Sequence, residues 1–296
     1  MRFAGEFFAL LTALLWSVSA LIFAAAARRI SSFHVNVLRL LIAEIFFAAY
    51  LLLRPSLLTL SITQLFYLSL SGIVGLSLGD TFLFRAFQEI GARVSMLLMT
   101  LAPAIGAALA AVFLHESLGF WSIIGMGTTL AGVSLVVFER TPAGGARFAI
   151  SVRGIVLGVL GAAGQGIGLI LAKVAFRENP IDGFAASAVR IFAGIALLVL
   201  GAVVTRRPVF PRLKDRGTNK MLALLSIGAF FGSFLGISTS FISVTLTSVG
   251  VSSTIMATVP VLMLPLAWIV YREAIHWKAV AGACTAVAGV SLLFIQ

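Results

Sequence analysis

Residues 102–138 read APAIGAALAAVFLHESLGFWSIIGMGTTLAGVSLVVF, and their pattern returns 157 residues later in residues 259–295, VPVLMLPLAWIVYREAIHWKAVAGACTAVAGVSLLFI. The two stretches are identical at 11 of 37 positions, including a proline near the start, a glutamate in the middle and the string AGVSL near the end. Each copy is an apolar helix, a short polar connection and a second apolar helix. The repeat predicts that the chain is a duplication that folds as two equivalent halves.

The composition is that of an integral membrane protein. Hydrophobic residues make up 60% of the chain and charged residues only 10%, and the mean hydropathy is +1.13, whereas soluble domains carry about 25% charged residues. The basic residues that give the net charge of +11 are scattered over short connectors. This pattern is typical of residues that orient a protein in the membrane and not of a nucleic-acid-binding surface. The single cysteine, Cys284, excludes an internal disulfide and a cysteine metal site.

Apolar runs of about 20 residues are expected to form helices in the membrane, because hydrocarbon offers the backbone no hydrogen-bond partners. We predict ten such spans, numbered in chain order, and therefore an all-α integral membrane protein. The first run is long enough to span and is taken as a helix of the mature protein, not as a signal peptide. The predicted spans cover roughly residues 5–27, 34–53, 64–84, 92–114, 119–138, 153–173, 183–204, 220–241, 248–271 and 276–295.

Five spans in each half is an odd number, so the second half must enter the membrane from the opposite side. The sequence thus predicts two inverted five-helix repeats, the plan of many secondary transporters. We place the first repeat at residues 1–140, the inter-repeat connector at 141–152 and the second repeat at 153–296. Arg39 in span 2 corresponds to Arg190 in span 7 at an offset of 151 residues.

Both repeats carry a proline inside a span at the same repeat position, Pro103 in span 4 and Pro260 in span 9. A proline removes a backbone donor and kinks its helix, and helices broken near the bilayer midplane are typical of carrier binding sites. The alternative is that these prolines merely bend their helices. Four residues precede the prolines on the same helical faces and are predicted to line a cavity with them: Met96 and Met99 in span 4, and Ser253 and Met256 in span 9.

Charged side chains within spans need a specific explanation, since each costs about 2.5–3.5 kcal/mol at a helix centre. Arg39 and Arg190 either attract an anionic substrate group and act as a gate, or extend to lipid headgroups. Asp80 is predicted to line the substrate cavity and is the best candidate for a proton-coupling residue. Its alternative role is a structural pair with Arg85 or another basic residue.

Two uncharged side chains complete the predicted cavity. Gln165 in span 6 and Trp16 in span 1 lie on corresponding helices of the two repeats. Together they offer an amide and an aromatic face to a small zwitterion, and the two methionines of span 4 add an adaptable apolar wall.

The sequence resembles the drug/metabolite transporter superfamily, in particular its EamA branch. The resemblance is carried by residues 75–87 with Gly91 and Ala92 after them, by the Pro103 helix with Glu116, and by the helix that holds Gly125 and Gly132, all repeated in the second half; Trp16 in span 1 also fits. It implies ten helices, a central cavity lined mainly by spans 1, 3, 4, 6, 8 and 9, and alternating access, often in the export of amino acids or other metabolites. Arg85 departs from the family pattern, which usually has an aromatic residue there.

We therefore predict a secondary active transporter that moves small polar or amphipathic metabolites, such as amino acids, in the export direction across the cell inner (plasma) membrane, with protons as the coupling ion. The alternatives are an exporter of drugs or other xenobiotics, or a gradient-independent facilitator or channel. No P-loop, hydrolase or metalloprotease motif occurs, so neither catalytic residues, a cofactor nor a metal is expected. The positive charges place both termini outside, whereas the resemblance implies cytoplasmic termini.

Overall fold

The structure is a computed structural model that describes residues 3–54, 60–113, 115, 119–137, 151–179, 181–211, 216–247, 249–271 and 277–292. Within these ranges the chain is folded into thirteen α-helices and two π-helical segments. The predicted inter-repeat connector falls almost wholly outside the described residues, as does Glu116 of the repeated stretch.

The helices join into ten spans in the described part of the chain, as the sequence predicts. Seven stretches are long and apolar enough to cross a membrane, and three shorter apolar helices accompany them. One of the seven, Ile62–Leu98, contains two spans, because Gly91 adopts φ 78° and turns the chain between them. A positive φ of this kind is easily adopted only by glycine.

The span bounds follow directly from the helices, with spans 3, 4, 8 and 9 each made of more than one piece. Span 3 passes through the π-helical segment Gly72–Gly79, and span 8 through Ala229–Leu235. The α-helical pieces in chain order are Ala4–Ala27, Ser32–Leu53, Ile62–Ser71, Asp80–Leu98 (divided at Gly91), Leu101–Phe113, Phe120–Val137, Val152–Glu178, Gly183–Val204, Arg216–Gly228, Gly236–Leu246, Val249–Met256, Val259–Tyr271 and Trp277–Leu292.

Side chains next to the connectors set where four of the spans begin. Ser31, Ser61, Ser151 and Asp182 each accept a hydrogen bond from a backbone N–H of the first helical turn. Such caps satisfy amides that have no partner within the helix. Ser31 and Asp182 are 151 residues apart, the same offset that relates Arg39 to Arg190, so spans 2 and 7 begin at equivalent points of the two repeats.

The packing of the spans has the pattern of a twofold axis between the repeats. Span 3 packs on span 6 and span 8 packs on span 1, while span 2 packs on span 7 and span 5 on span 10. Exchanging each span for its counterpart five places along the chain leaves this set of pairs unchanged. Because each repeat has five spans that alternate in direction, the two repeats are inverted with respect to the membrane.

Spans 5 and 10 meet through small residues at repeat-equivalent positions. A Cβ atom at Gly132 would lie 2.4 Å from the Ala286 nitrogen, and one at Gly289 would lie 2.3 Å from the Thr129 nitrogen. Both are backbone contacts that no side-chain rotation can relieve. In a lipid bilayer, apolar side chains gain little free energy by moving from lipid contacts to protein contacts. Close approach of the helix backbones is therefore a main source of helix association.

Gly132→Ala is therefore expected to lower the unfolding temperature of the detergent-solubilised protein, because overpacking typically costs about 1–3 kcal/mol. Gly127→Ala is the matched control in the same helix, since a Cβ at Gly127 meets nothing within 4 Å. That control is expected to be neutral or slightly stabilising, because alanine favours helix by up to about 1 kcal/mol over glycine. Equal effects of the two substitutions would contradict the proposed contact.

Candidate functional site

A buried ion pair joins spans 2 and 3 in the interior of the molecule. The Arg39 Nη2 donates to Asp80 Oδ2, and the two side chains are only 8% and 7% exposed. The second carboxylate oxygen, Asp80 Oδ1, accepts a hydrogen bond of 2.7 Å from Gln165 Nε2 in span 6. Asp80 and Gln165 both lie in the middle third of their spans. The structure thus brings three of the predicted residues together near the centre of the membrane-spanning region.

Asn36 ties this ion pair to the π-helical segment of span 3. Its Oδ1 accepts a 3.1 Å hydrogen bond from Arg39 Nε, while its Nδ2 donates to the carbonyl oxygens of Leu76 at 3.0 Å and Ser77 at 3.1 Å. The Thr81 hydroxyl also donates to the Ser77 oxygen, at 2.6 Å. A π-helix disturbs the regular ladder of backbone bonds, and these side chains supply donors to its carbonyls. We call Asn36, Arg39, Asp80, Thr81 and Gln165 the midplane polar cluster.

The midplane polar cluster adjoins a region of large apolar side chains. The Arg39 guanidinium carbon lies 5.1 Å from the centre of the Phe84 ring, and Phe84 meets Phe23 of span 1 edge to face at 5.6 Å. Phe23, Phe84, Phe87, Leu225 and Met263, from spans 1, 3, 8 and 9, belong to one buried group, which we call the central apolar cluster. A cation over an aromatic face is stabilised by the ring quadrupole.

Three of the predicted cavity residues, Trp16, Met96 and Met99, pack half-buried against the central apolar cluster. Trp16 approaches span 8 at Gly236, where an added Cβ would lie 2.6 Å from the indole nitrogen. The two methionines come from span 4 and Trp16 from span 1, so all three belong to the first repeat, while the cluster that they pack against includes Leu225 and Met263 of the second repeat. Phe84 is a member of the central apolar cluster that these three residues pack against, and it also contacts Arg39 of the midplane polar cluster.

The structure interrupts spans 4 and 9 just before the two prolines, as the sequence predicts. Turns at residues 99–100 and 257–258 separate the helical pieces, and each proline falls in the first turn of the second piece. A proline there lacks only an amide that would have no partner in any case. Ser253 and Met256 lie half-buried in the last turn before the break in span 9.

Pro260 is buried and lies at a different place from the midplane polar cluster. It lines a small cavity of about 10 Å³ with residues of spans 4, 5 and 10, among them Arg93, Leu97 and Ala283. The structure therefore does not gather all the predicted site residues into one pocket. Pro260 lies by this cavity, and Trp16, Met96 and Met99 lie by the central apolar cluster.

Arg190 lies at the edge of the midplane polar cluster. Its backbone packs against span 3, where a Cβ atom at Gly72 would lie 1.8 Å from the Arg190 carbonyl oxygen. Its side chain is partly exposed, and its charge is close enough to act on Asp80. Asp80 therefore pairs with Arg39 and has Arg190 as a second cation nearby, while Arg85, the other partner considered from the sequence, is exposed.

Sequence reasoning missed the π-helical segments and the role of Asn36. The segments begin at Gly72 and Ala229, which are 157 residues apart, the offset of the repeat. Gly75 and Gly79 of span 3, which correspond at this offset to Gly232 and Gly236 of span 8, were a weak signal for them. It also missed a second polar group near the start of span 1, where Ser243 of span 8 bonds the Ser252 hydroxyl of span 9 and the Gly5 carbonyl oxygen, each at 2.8 Å.

Two inverted repeats with interrupted helices around a buried ion pair are an architecture typical of membrane transport proteins. In agreement with this, the chain matches the EamA-like transporter family over residues 3–138 and again over residues 152–295. The chain belongs to the EamA-like transporter family, and it is a multi-pass membrane transporter.

Two further comparisons agree with this family. A WAT1-related protein of Arabidopsis thaliana, described as chloroplastic, is 26% identical over 215 residues, which are 72% of this chain and 51% of that protein. The chain thus matches about half the length of this curated relative. A protein of known crystal structure superposes with a TM-score of 0.64 over 99% of this chain and 97% of its own, at 19% identity. That likeness shows the fold alone.

Removal of either partner of the buried pair is expected to destabilise the protein strongly. Arg39→Gln or Asp80→Asn leaves the opposite charge buried without its partner, which typically costs about 3–5 kcal/mol. The double variant Arg39→Gln/Asp80→Asn should be less destabilised than the sum of the two single variants, because it leaves neither charge behind. The stability of each of the three variants is measured by thermal unfolding in detergent.

The matched control is the exposed pair between Arg153 and Glu89, whose charged atoms lie 3.5 Å apart with the arginine side chain 78% exposed. Arg153→Gln is expected to cost less than about 1 kcal/mol, because exposed pairs contribute little. Additive effects of Arg39→Gln and Asp80→Asn would show that the two side chains do not depend on each other.

Proposed function

We propose that this transporter is a secondary active carrier that exports small polar or amphipathic metabolites, amino acids among them, across the cell inner (plasma) membrane by alternating access. The observation that carries the proposal is the matched interruption of the two repeats. Both have a π-helical segment and a broken helix at equivalent positions, around a polar cluster near the membrane centre.

Equivalent interruptions in inverted repeats favour a carrier. Each repeat then has flexible points in its helices, and those of one repeat lie as deep from one membrane face as those of the other repeat lie from the opposite face. Hinges in helices occur at π-helical segments, at glycines and at prolines. A movement that opens the path on one face then has a counterpart, made by the other repeat, that opens it on the opposite face. A channel has no need of such paired hinges.

The side chains around the centre suit a small solute with both polar and apolar parts. Trp16, Met96 and Met99 provide aromatic and adaptable apolar surface beside the central apolar cluster. Gln165, Arg39 and Asp80 provide polar groups at the midplane polar cluster. We assign Pro103, Ser253, Met256 and Pro260, which lie at or beside the two helix breaks, to the moving parts of the same path.

Counterflow in proteoliposomes tests this function. Vesicles that contain the protein and an excess of an unlabelled amino acid are placed in a trace of the same labelled compound, and a mixture of amino acids is screened in this way. A carrier is expected to accumulate label transiently above its external concentration, because inward and outward steps share one binding site. Equilibration without an overshoot for every solute that passes would instead show a facilitating channel.

Asp80 is proposed as the proton-coupling residue, with protons as the driving ion. The groups that face it are Arg39 from span 2, Gln165 from span 6 and Arg190 from span 7. A proton and Arg39 compete for the same carboxylate, so proton uptake would loosen the contact between spans 2 and 3. This competition connects a pH gradient to the packing around the midplane polar cluster.

Asp80→Asn is expected to retain counterflow but to lose accumulation driven by a pH gradient, because exchange needs no net proton movement. The variant Arg39→Gln/Asp80→Asn, which removes both charges of the buried pair, serves as a second test if Asp80→Asn unfolds. Unchanged pH-driven accumulation in either folded variant would exclude Asp80 as the coupling group. Fluorescence of a pH-sensitive dye inside the vesicles measures the proton movement.

A further inference from the structure

Arg39 and Arg190 enter the membrane from opposite faces as repeat-equivalent residues. Each lies seven residues beyond the first residue of its span, Ser32 or Gly183, which corresponds to about 10 Å of helix. Span 2 starts at the face where span 1 ends, whereas span 7 starts at the opposite face. The two arginines thus approach the membrane centre from the two sides.

Arg39 has an acidic partner in span 3, whereas Arg190 has no acidic residue at the equivalent position of span 8. Asp80 follows the π-helical segment of span 3 directly, and its counterpart in span 8, at the offset of 157 that relates the two segments, is Ile237. Ile237 packs against an apolar group of spans 2 and 7 that includes Leu40 and Ile191. The second repeat therefore has the arginine of the pair without the carboxylate.

Arg190 is left with an unsatisfied donor as a result. Its Nε atom is buried and, among the described residues, has no hydrogen-bond partner. Asp80, the acid that interacts electrostatically with Arg190, is already hydrogen-bonded to Arg39 and Gln165. Glu44 in span 2 does not complete it either, because Glu44 Oε2 is itself buried without a partner among the described residues, and Glu89 in span 3 pairs with Arg153.

The midplane polar cluster and its edge consequently carry two guanidinium groups, Arg39 and Arg190, and one paired carboxylate, Asp80. A charge inside the membrane is costly unless it is paired. A carboxylate brought by a solute would accept from the Arg190 guanidinium with its two oxygens, the arrangement that suits a planar fork of N–H donors best. A neutral amide can accept one hydrogen bond through its carbonyl oxygen but brings no charge to balance the guanidinium, and a cationic solute would be repelled.

We propose that Arg190 binds the carboxylate of the transported solute. This site rests on the proposed carrier function and narrows its substrate class to carboxylate-bearing compounds. Asp80 acts as the internal competitor, since it is the protein's own carboxylate between the two arginines. Arg39 holds Asp80 and keeps Arg190 available to the solute.

The test measures thermal unfolding of the purified full-length protein with matched pairs of an acid and its amide: benzoate and benzamide, phenylacetate and phenylacetamide, L-leucine and L-leucinamide. Sodium chloride at equal ionic strength controls for salt. At least one acid is expected to raise the melting temperature while its amide does not, because a ligand that binds only the folded state stabilises it. The concentration dependence of the shift gives the affinity.

Arg190→Gln is expected to weaken the affinity for that acid roughly 10- to 100-fold, the usual loss for a hydrogen bond to a charged group. Arg207→Gln is the matched control, since Arg207 is an exposed arginine in the connector after span 7, and it should leave the affinity unchanged. Arg190→Lys keeps the charge but not the planar fork, so it should retain part of the binding.

A second pair of variants tests the missing carboxylate directly. Ile237→Asp supplies the second repeat with the acid that the first repeat has, and is expected to abolish the stabilisation by the acid because Arg190 is then paired within the protein. Ile237→Asn introduces a polar group of similar size without charge and should retain the stabilisation. Arg190→Gln remains as an independent test if either Ile237 variant fails to fold.

Three results would overturn the site: equal stabilisation by acid and amide, an acid effect that survives Arg190→Gln, or no stabilisation of the wild-type protein by any of the acids. These results are separate from the failure of the carrier function. If counterflow shows no preference for solutes with a carboxylate, the carrier function holds and the proposed site is wrong. If acids bind but no counterflow occurs, the acid-binding site holds and the carrier function is wrong.

Discussion

The buried pair between Arg39 and Asp80 determines how spans 2, 3 and 6 fit together. Both side chains are almost fully buried, so protein groups must stabilise each charge in place of bulk water. Gln165 holds the free oxygen of Asp80, and Asn36 holds the Nε of Arg39. The same Asn36 also bonds two carbonyl oxygens of the π-helical segment. The ion pair and the irregular backbone of span 3 therefore stabilise each other, and neither is complete alone.

Glycine makes this arrangement possible because it lets the helix backbones touch. A Cβ atom at Gly164 of span 6 would lie 2.7 Å from the Gly79 Cα of span 3, one residue from Gln165 and one from Asp80. Larger residues at these positions would move the two helices apart, and Gln165 would no longer reach the carboxylate. The glycine-rich stretch of span 6 thus acts in packing, and through packing it sets the geometry of the polar cluster.

Much of the fold could be predicted from the sequence, because the membrane imposes a one-dimensional signal. Ten apolar runs mark the spans, and the repeat offset marks Pro103 and Pro260 as equivalent breaks. The partner of Asp80 could not be selected in the same way, since Arg39 lies 41 residues away and only tertiary packing brings the two together. The π-helical segments were equally hidden, because their glycine-containing sequences are also compatible with an α-helix, and the donation of Asn36 and Thr81 to carbonyl oxygens of the first segment is visible only in the folded protein.

The two repeats share a scaffold but differ in the chemistry that it carries. The first repeat supplies Asn36, Arg39 and Asp80, whereas the second retains Arg190 and has Ile237 in place of the acid. A symmetric scaffold gives a carrier two related conformations of similar energy, since each repeat can adopt the form of the other. With a carboxylate in both repeats the two arginines would be equally neutralised, and the centre would have no preference for a charged solute. With the single carboxylate of Asp80, the midplane polar cluster together with Arg190 carries one more positive than negative charge, so the proposed selection for an anionic group follows from the difference between the repeats and not from the fold that they share.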